Sequence, residues 1–285
     1  MASEDAEQVE IGANGLVFTA RVAGPAGGRP VLLLHGFPQS SWSWRAVLPA
    51  LAVAGYRAVA PDQRGYAAGA RPSTVDQYAM AHLVDDVLGL ADAAGADTFD
   101  LVGHDWGGMV AWATAARHPD RVRSLTAVST PHPAALTAVI MNGEDGQAER
   151  MAYIGFFRQP DVPERQLLGA DGSGSGLREL FASTGLPADQ TDEYVSVLTQ
   201  PGALTGALNW YRAMDTIGEV GPVTVPTLYV WSSDDPALGR RAAETTVDWV
   251  TGPYRFCILD GVSHWVPEQA APELSRLLLE HLSLT

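Results

Sequence analysis

Leu101-Val-Gly-His-Asp-Trp-Gly-Gly108 decides how this sequence is read. An apolar, strand-like run (Phe99–Val102) leads into it, and an amphipathic, helix-like run (Trp106–Arg117) leaves it. Gly103, Asp105 and Gly107 fit Gly-x-Nuc-x-Gly, the sharp strand-to-helix turn that projects a nucleophile above a parallel sheet. The flanking glycines serve a turn so tight that its middle residue is forced into a strained conformation. That residue is Asp105. A carboxylate is already an anion at neutral pH and needs no base to activate it. It attacks amides poorly, because the mixed anhydride formed is less stable than the amide. It attacks well at an sp3 carbon carrying a strained or good leaving group, such as an epoxide or alkyl halide. The product is an alkyl ester of Asp105, which water must then cleave.

The sequence around the turn alternates in the same way. Val31–Leu34, Arg57–Ala60, Ser124–Val128, Thr227–Trp231 and Arg255–Leu259 are further short apolar runs, separated by longer amphipathic stretches such as Ala79–Ala93. Continuous apolar strands alternating with helices predict a mostly parallel α/β sheet. Ile11–Val22 predicts an antiparallel hairpin turning at Asn14-Gly15. Between Pro133 and Gly221 no buried strand is legible. Helical patterns cover Gly146–Arg158, Ser175–Thr184, Ala188–Thr199 and Ala203–Thr216, and Asp171–Gly176 has the composition of a solvated linker. The predicted organisation is therefore a sheet core over 1–132, a helical cap over 133–221 and the rest of the core over 222–285.

Ester cleavage needs a base and a place for the oxyanion. Gly261-Val-Ser-His-Trp265 follows the last predicted strand, which makes His264 the base. Ser232-Ser-Asp-Asp-Pro236 follows the preceding strand and offers two acids to orient it; Asp235 is chosen over Asp234. The order nucleophile, acid, base is the chain order of this fold. Leu34-His-Gly-Phe-Pro-Gln39 places backbone N–H groups near the turn, so Phe37 and Trp106 are the expected oxyanion donors. Among the seven histidines, His35 is expected to hold this loop, His104 to face into the fold, and His132 to line the site.

These blocks, with Ser43-Trp-Arg45, Ala54-Gly-Tyr-Arg57, Ser129-Thr-Pro131 and Asn209-Trp-Tyr-Arg212, resemble those of the α/β-hydrolase-fold epoxide hydrolases, especially the catalytic domain of soluble epoxide hydrolase. The resemblance runs from His35 to His264. It implies an α/β-hydrolase fold with an inserted helical cap and an epoxide opened to a vicinal diol. It also implies two cap tyrosines that donate hydrogen bonds to the epoxide oxygen. Tyr211 matches one by its Asn-Trp-Tyr-Arg motif, and Tyr153 matches the other by its spacing to Phe157-Arg-Gln-Pro160. Phenols, protonated at neutral pH, suit that task. Haloalkane dehalogenases share the turn and are the alternative reading. Phe37 and Trp106 stand where two dehalogenase groups carry Asn and Arg, which counts against it. A ligand-binding member of the fold without turnover is the alternative from another class. Trp106, Phe37, Phe156, Phe157, Trp210 and Trp265 are expected wall residues for a small hydrophobic epoxide.

Composition narrows the partners. The net charge of -15 argues against nucleic acid and anionic membranes. All 18 basic residues are arginine, which reads as coding bias. No apolar stretch reaches the ~18–20 residues needed to span a bilayer. The acidic start Met-Ala-Ser-Glu-Asp-Ala-Glu lacks the apolar core of a secretory signal, so the expected compartment is the cytoplasm. Cys257 has no intrachain partner and is expected to be a buried, inert thiol. Neither metal nor organic cofactor is required by this chemistry. Oligomeric state leaves no mark on the sequence.

Overall fold

The computed structural model describes residues 6–285; the acidic start from Met1 to Asp5 lies outside the described residues. Eight strands form one sheet: β1 (Glu7–Ala13), β2 (Leu16–Ala23), β3 (Arg29–Leu34), β4 (Tyr56–Pro61), β5 (Phe99–His104), β6 (Val122–Val128), β7 (Thr227–Ser232) and β8 (Tyr254–Leu259). Their order is β1-β2-β4-β3-β5-β6-β7-β8. β1 and β2 form the expected hairpin, with positive φ at both Asn14 and Gly15, as a two-residue primed turn requires. β2 joins β4 antiparallel, and every later pairing is parallel.

The central strands are buried on both faces, as their unbroken apolar runs require. β5 and β7 are buried along their full length. β8 differs from expectation. It is an edge strand whose residues are mostly half-buried, and Cys257 is half-buried with it. Helices cover both faces, and two apolar clusters fill the layers. One includes Leu32, Leu101, Trp112 and Tyr229; the other includes Val31, Leu33, Val102 and Leu278.

Between β6 and β7 the chain leaves the sheet for an inserted helical region. Its helices are shorter and more numerous than the sequence predicts. The stretch expected as one helix over Gly146–Arg158 divides into Gln147–Arg150 and Tyr153–Phe157. Across the break, Ala152, Ile154 and Gly155 each bond three residues back rather than four, so the ladder tightens and ends. The helices Pro133–Met141 and Val162–Leu168 were unexpected, because proline punctuates both. Proline stands in the first turn of each, where its missing N–H costs no ladder bond. Asp171–Gly176 is a turn rather than a linker. The Asp171 carboxylate accepts from Ser173 N–H, Gly174 donates to the Leu168 carbonyl, and Ser175 already begins the helix Ser175–Ser183. Among the described residues, no helix is long and apolar enough to cross a membrane.

Candidate active site

The site begins at the end of β5. Asp105 has φ 52° and ψ -120°, a conformation rare for a residue with a Cβ, and it precedes the helix Trp106–Arg117. The turn is closed so tightly that a Cβ at Gly103 would lie 2.2 Å from the Gly107 carbonyl oxygen. One at Gly107 would lie 2.3 Å from that of Leu34. Thr130, just beyond β6, fixes the turn from the side: its hydroxyl donates to the Asp105 carbonyl at 2.8 Å. The Asp105 side chain faces the loop after β3, where Oδ1 accepts from the Phe37 N–H at 2.7 Å. Trp106 is the first residue of its helix, so its N–H lies outside the helical ladder.

Two later loops converge on the same carboxylate. His264 Nε2 lies 3.5 Å from Asp105 Oδ2, and His264 Nδ1 lies 2.7 Å from Asp235 Oδ2. Asp235 is held in turn, because its Oδ1 accepts from the N–H groups of Ala237 and Leu238 at 2.8 and 3.0 Å. Asp234 points elsewhere and accepts from the Ser233 hydroxyl. The structure thus brings Asp235, and not its neighbour, to the imidazole.

The charges of the group depend on one another. Burial alone would raise the Asp105 carboxyl. Hydrogen bonding and attraction from His264, with the Phe37 N–H, outweigh burial and hold it below the ordinary carboxylate value. Burial also opposes the His264 cation, but Asp235 and Asp105 prevail and lift the imidazole well above its usual value. His104 behaves oppositely. Burial and the nearby His264 charge drive it down to about 3, so its ring is neutral.

Inserted helices close the opposite side. A cavity of about 260 Å³ is bordered by Asp105 and His264 below and by Tyr153 and Tyr211 above. Tyr211 lies on the helix Ala203–Arg212, only 3% exposed, with its ring perpendicular to that of Trp106 at 5.1 Å and close to Phe37 at 5.2 Å. Tyr153 begins the helix Tyr153–Phe157 and is 38% exposed. Although over a third of Tyr153 meets solvent, its phenol borders the enclosed cavity, where loss of water and the Asp105 and Asp235 carboxylates push it above its ordinary value; burial, Tyr153 and Asp105 do the same for Tyr211, so both carry their protons.

The expected walls divide. Phe37, Phe157 and Trp265 border this cavity, and Trp106 borders a smaller one of about 50 Å³ that shares Asp105, Tyr153 and Tyr211 with it. Trp210 stands behind: its indole donates to the Arg64 carbonyl and its ring packs on Trp106 and Tyr66. Phe156 packs on Phe157 without reaching either cavity. His132 is displaced furthest from expectation. It caps the helix Pro133–Met141 through Ala134 N–H and is sandwiched between Trp112 and Trp249, stacking on the latter with rings 3° apart. Proline at the first helical position called for a cap, and the imidazole serves as one.

Sequence reasoning missed several residues of the site. Arg150, Leu180 and Thr184 also border the cavity from segments with no motif, and Pro236 and Ala237 border it from within or beside the block read only for its acid. Beneath it runs a polar chain. Tyr194 donates to the half-buried Glu268 at 2.5 Å, as does Gln39 at 2.7 Å, and His104 lies 2.9 Å from both Gln39 Oε1 and the His264 carbonyl. Burial pushes the Glu268 carboxyl upward. Gln39, His104 and His264 lie in quoted blocks but Tyr194 and Glu268 do not, and the chain joins four separate segments, so spacing could not have revealed it.

A parallel sheet with nucleophile, acid and base positions after β5, β7 and β8 defines an α/β hydrolase. Residues 29–271 match the family described as the alpha/beta hydrolase fold. Epoxide hydrolase A of Mycobacterium tuberculosis is 33% identical, with 95% of each chain covered. Epoxide hydrolase 4 of Homo sapiens is 34% identical over 95% of this chain and 76% of that one. The crystal structure of epoxide hydrolase A from Mycobacterium thermoresistibile superposes with a TM-score of 0.84 at 32% identity, covering 98% of each chain. The chain belongs to the epoxide hydrolases of the α/β-hydrolase fold.

Proposed function

We propose that this protein opens small hydrophobic epoxides to vicinal diols through an ester on Asp105, with residues 133–221 acting as the cap. The observation that carries the reading is the shared cavity: an anionic carboxylate faces two protonated phenols across it. Asp105 attacks the less hindered ring carbon, the C–O bond breaks, and Tyr153 and Tyr211 donate to the oxygen as it becomes an alkoxide. One of them passes its proton to that oxygen.

Ester formation then changes the base. The free enzyme holds the His264 cation between two carboxylates, and alkylation removes the charge of one. The imidazole loses part of its reason to stay protonated, its proton passes through solvent to the tyrosinate left by ring opening, and the neutral ring becomes available to take a proton from water. Asp235 keeps it oriented. Water attacks the ester carbonyl, whose oxygen is held by the N–H groups of Phe37 and Trp106. The Phe37 N–H already rests 2.7 Å from that carboxylate, which supports this assignment. Collapse releases the diol and restores Asp105. The half-buried lone thiol and the acidic charge suit the cytoplasm, the compartment included in this reading.

Single turnover in oxygen-18 water tests the mechanism. The ester route first places an unlabelled Asp105 oxygen in the diol and the label in the protein. Diol labelled on the first turnover, with none in the carboxylate, would sink it.

A further inference from the structure

The block Ser129-Thr-Pro131 lies just beyond β6 and holds none of the reacting groups. It opens on strain. Ser129 has φ 64°, left-handed for a residue with a Cβ, and across it Thr130 N–H donates to the Val128 carbonyl at 2.8 Å. A three-residue turn of this hand is rare and strained. Ser129 is wholly buried and Thr130 nearly so. The backbone of the pair is otherwise fully bound. Ser129 N–H donates to the Val230 carbonyl, while the Ser129 and Thr130 carbonyls accept from the Tyr229 hydroxyl and the Trp112 indole. The two side-chain hydroxyls remain, and each donates to the main chain of one reacting residue. Ser129 reaches the His264 carbonyl at 3.2 Å and Thr130 the Asp105 carbonyl at 2.8 Å.

The turn therefore ties together two loops whose separation governs the second chemical step. His264 Nε2 lies 3.5 Å from Asp105 Oδ2, and a small displacement of either would misdirect the attacking water. Within its own loop the His264 carbonyl accepts from Val266 N–H, and His104 Nε2 lies 2.9 Å from it. Ser129 adds a tie from the neighbouring strand. We propose that Ser129 is a positioning residue for ester hydrolysis: its hydroxyl, held out by the strained turn, fixes the His264 main chain so that the imidazole aims water at the ester. Thr130 does the same for the main chain of Asp105. A relaxed φ at Ser129 would swing the hydroxyl away from His264, which gives the strain a use. This inference rests on the two-step ester reading and deepens it.

Rapid-quench kinetics on Ser129→Ala and Ser129→Gly, with a terminal epoxide, test it. Both variants lose the hydroxyl, so both should hydrolyse the ester about fivefold more slowly, with alkylation within about twofold of wild type. Their stabilities should differ. Glycine relieves the strained φ, so Ser129→Gly should melt about 2 °C above Ser129→Ala. A merely structural role would make the kinetic defect follow stability instead. Thr130→Val should slow both steps, because the ester carbonyl belongs to Asp105 itself. Comparing the two steps within each variant cancels any loss of folded enzyme. Three results overturn the inference and leave the ester reading intact: unchanged hydrolysis in both Ser129 variants, equal slowing of their two steps, or a defect confined to the less stable alanine variant. An effect of Thr130→Val on hydrolysis alone overturns the pairing of the two hydroxyls. Diol labelled on the first turnover in oxygen-18 water, with none in the carboxylate, overturns the ester reading beneath the inference.

Discussion

Asp105, Asp235 and His264 stand on loops leaving three parallel strands of one sheet, β5, β7 and β8, whereas Tyr153 and Tyr211 stand on helices of five and ten residues. The first group is fixed by backbone. β5 and β7 are fully buried, the Asp105 turn cannot accept side chains at its glycines, and Asp235 is clamped by two N–H groups. The second group is fixed by aromatic packing and ion pairs between helices. Phe157 touches both tyrosines, and Arg212, beside Tyr211, reaches Glu164 on another helix. A rigid side suits a nucleophile that must be aimed. A side assembled from side chains can be altered to fit different substrates without disturbing the sheet. If the proposed roles hold, damage to the two sides should differ in kind: the sheet side controls whether ester forms and is released, and the cap side controls how fast an epoxide opens.

The largest effect is expected at the nucleophile. Asp105→Ala should reduce turnover by about 10⁴-fold or more, with no covalent adduct by intact-protein mass spectrometry. Residual diol formation within tenfold of wild type would place the nucleophile elsewhere.

His264→Gln separates the two chemical steps. Alkylation should continue while ester hydrolysis slows by about 10³-fold, so the mass of one substrate accumulates on the protein. The pH profiles of the steps should part as well. Asp105 is held anionic below the ordinary carboxylate range, so alkylation should persist as pH falls to that range. Hydrolysis requires neutral His264 and should fall with decreasing pH through the imidazole value of the ester form. That value lies below the raised one of the free enzyme, because the Asp105 charge is gone. Rapid-quench measurements of both steps across pH check this; parallel profiles would contradict it.

The cap prediction is smaller and chemically selective. Tyr211→Phe or Tyr153→Phe should slow epoxide alkylation by about 10²-fold, with little change in hydrolysis of an ester already formed. A halide leaves without a proton, so any displacement of bromide from a bromoalkane should be nearly indifferent to the loss. Equal slowing of both reactions would mean that the phenols only shape the cavity.

The same contrast explains what the sequence could reveal. Each sheet-side residue sits at a fixed offset from an apolar run, and local backbone geometry imposes the motif around it. Asp105 was legible from two glycines, and Asp235 and His264 from the ends of β7 and β8. The cap gave only motif resemblance for Tyr153 and Tyr211, because helix packing depends on contacts between distant segments. His132 was misplaced for that reason: its position near the end of β6 was readable, but its role as a helix cap stacked on Trp249 was not. Arg150 went unseen altogether, since an arginine on an exposed helix ordinarily serves solvation.

Two ion pairs, one on each side, provide the finest comparison. Asp100 in β5 is buried and accepts from Arg29 through both oxygens at 2.6 Å, with Ser124 adding a third bond. Glu164 is bound by Arg212 at 2.9 Å on the cap, and Arg212 also donates to the Gln159 carbonyl. Burial would raise the Glu164 carboxyl, but Arg212 outweighs it and holds it below the usual range. A depressed folded value adds stability above the unfolded value, and that stability is lost as pH falls through the folded one. Glu164→Gln removes the charge at every pH. It should lower Tm by about 2–4 °C near neutrality, and the deficit should narrow on acidification. Because Arg212 adjoins Tyr211, the substitution should also slow alkylation by about twofold to fivefold, on the order of 1 kcal/mol or less. Asp100→Asn should cost more in Tm, since it breaks a two-pronged pair whose carboxylate is fully buried, yet leave the ratio of alkylation to hydrolysis unchanged. Thermal unfolding and rapid-quench kinetics on both variants decide the matter. If Asp100→Asn shifted that ratio and Glu164→Gln did not, the assignment of ring opening to the cap side would fail.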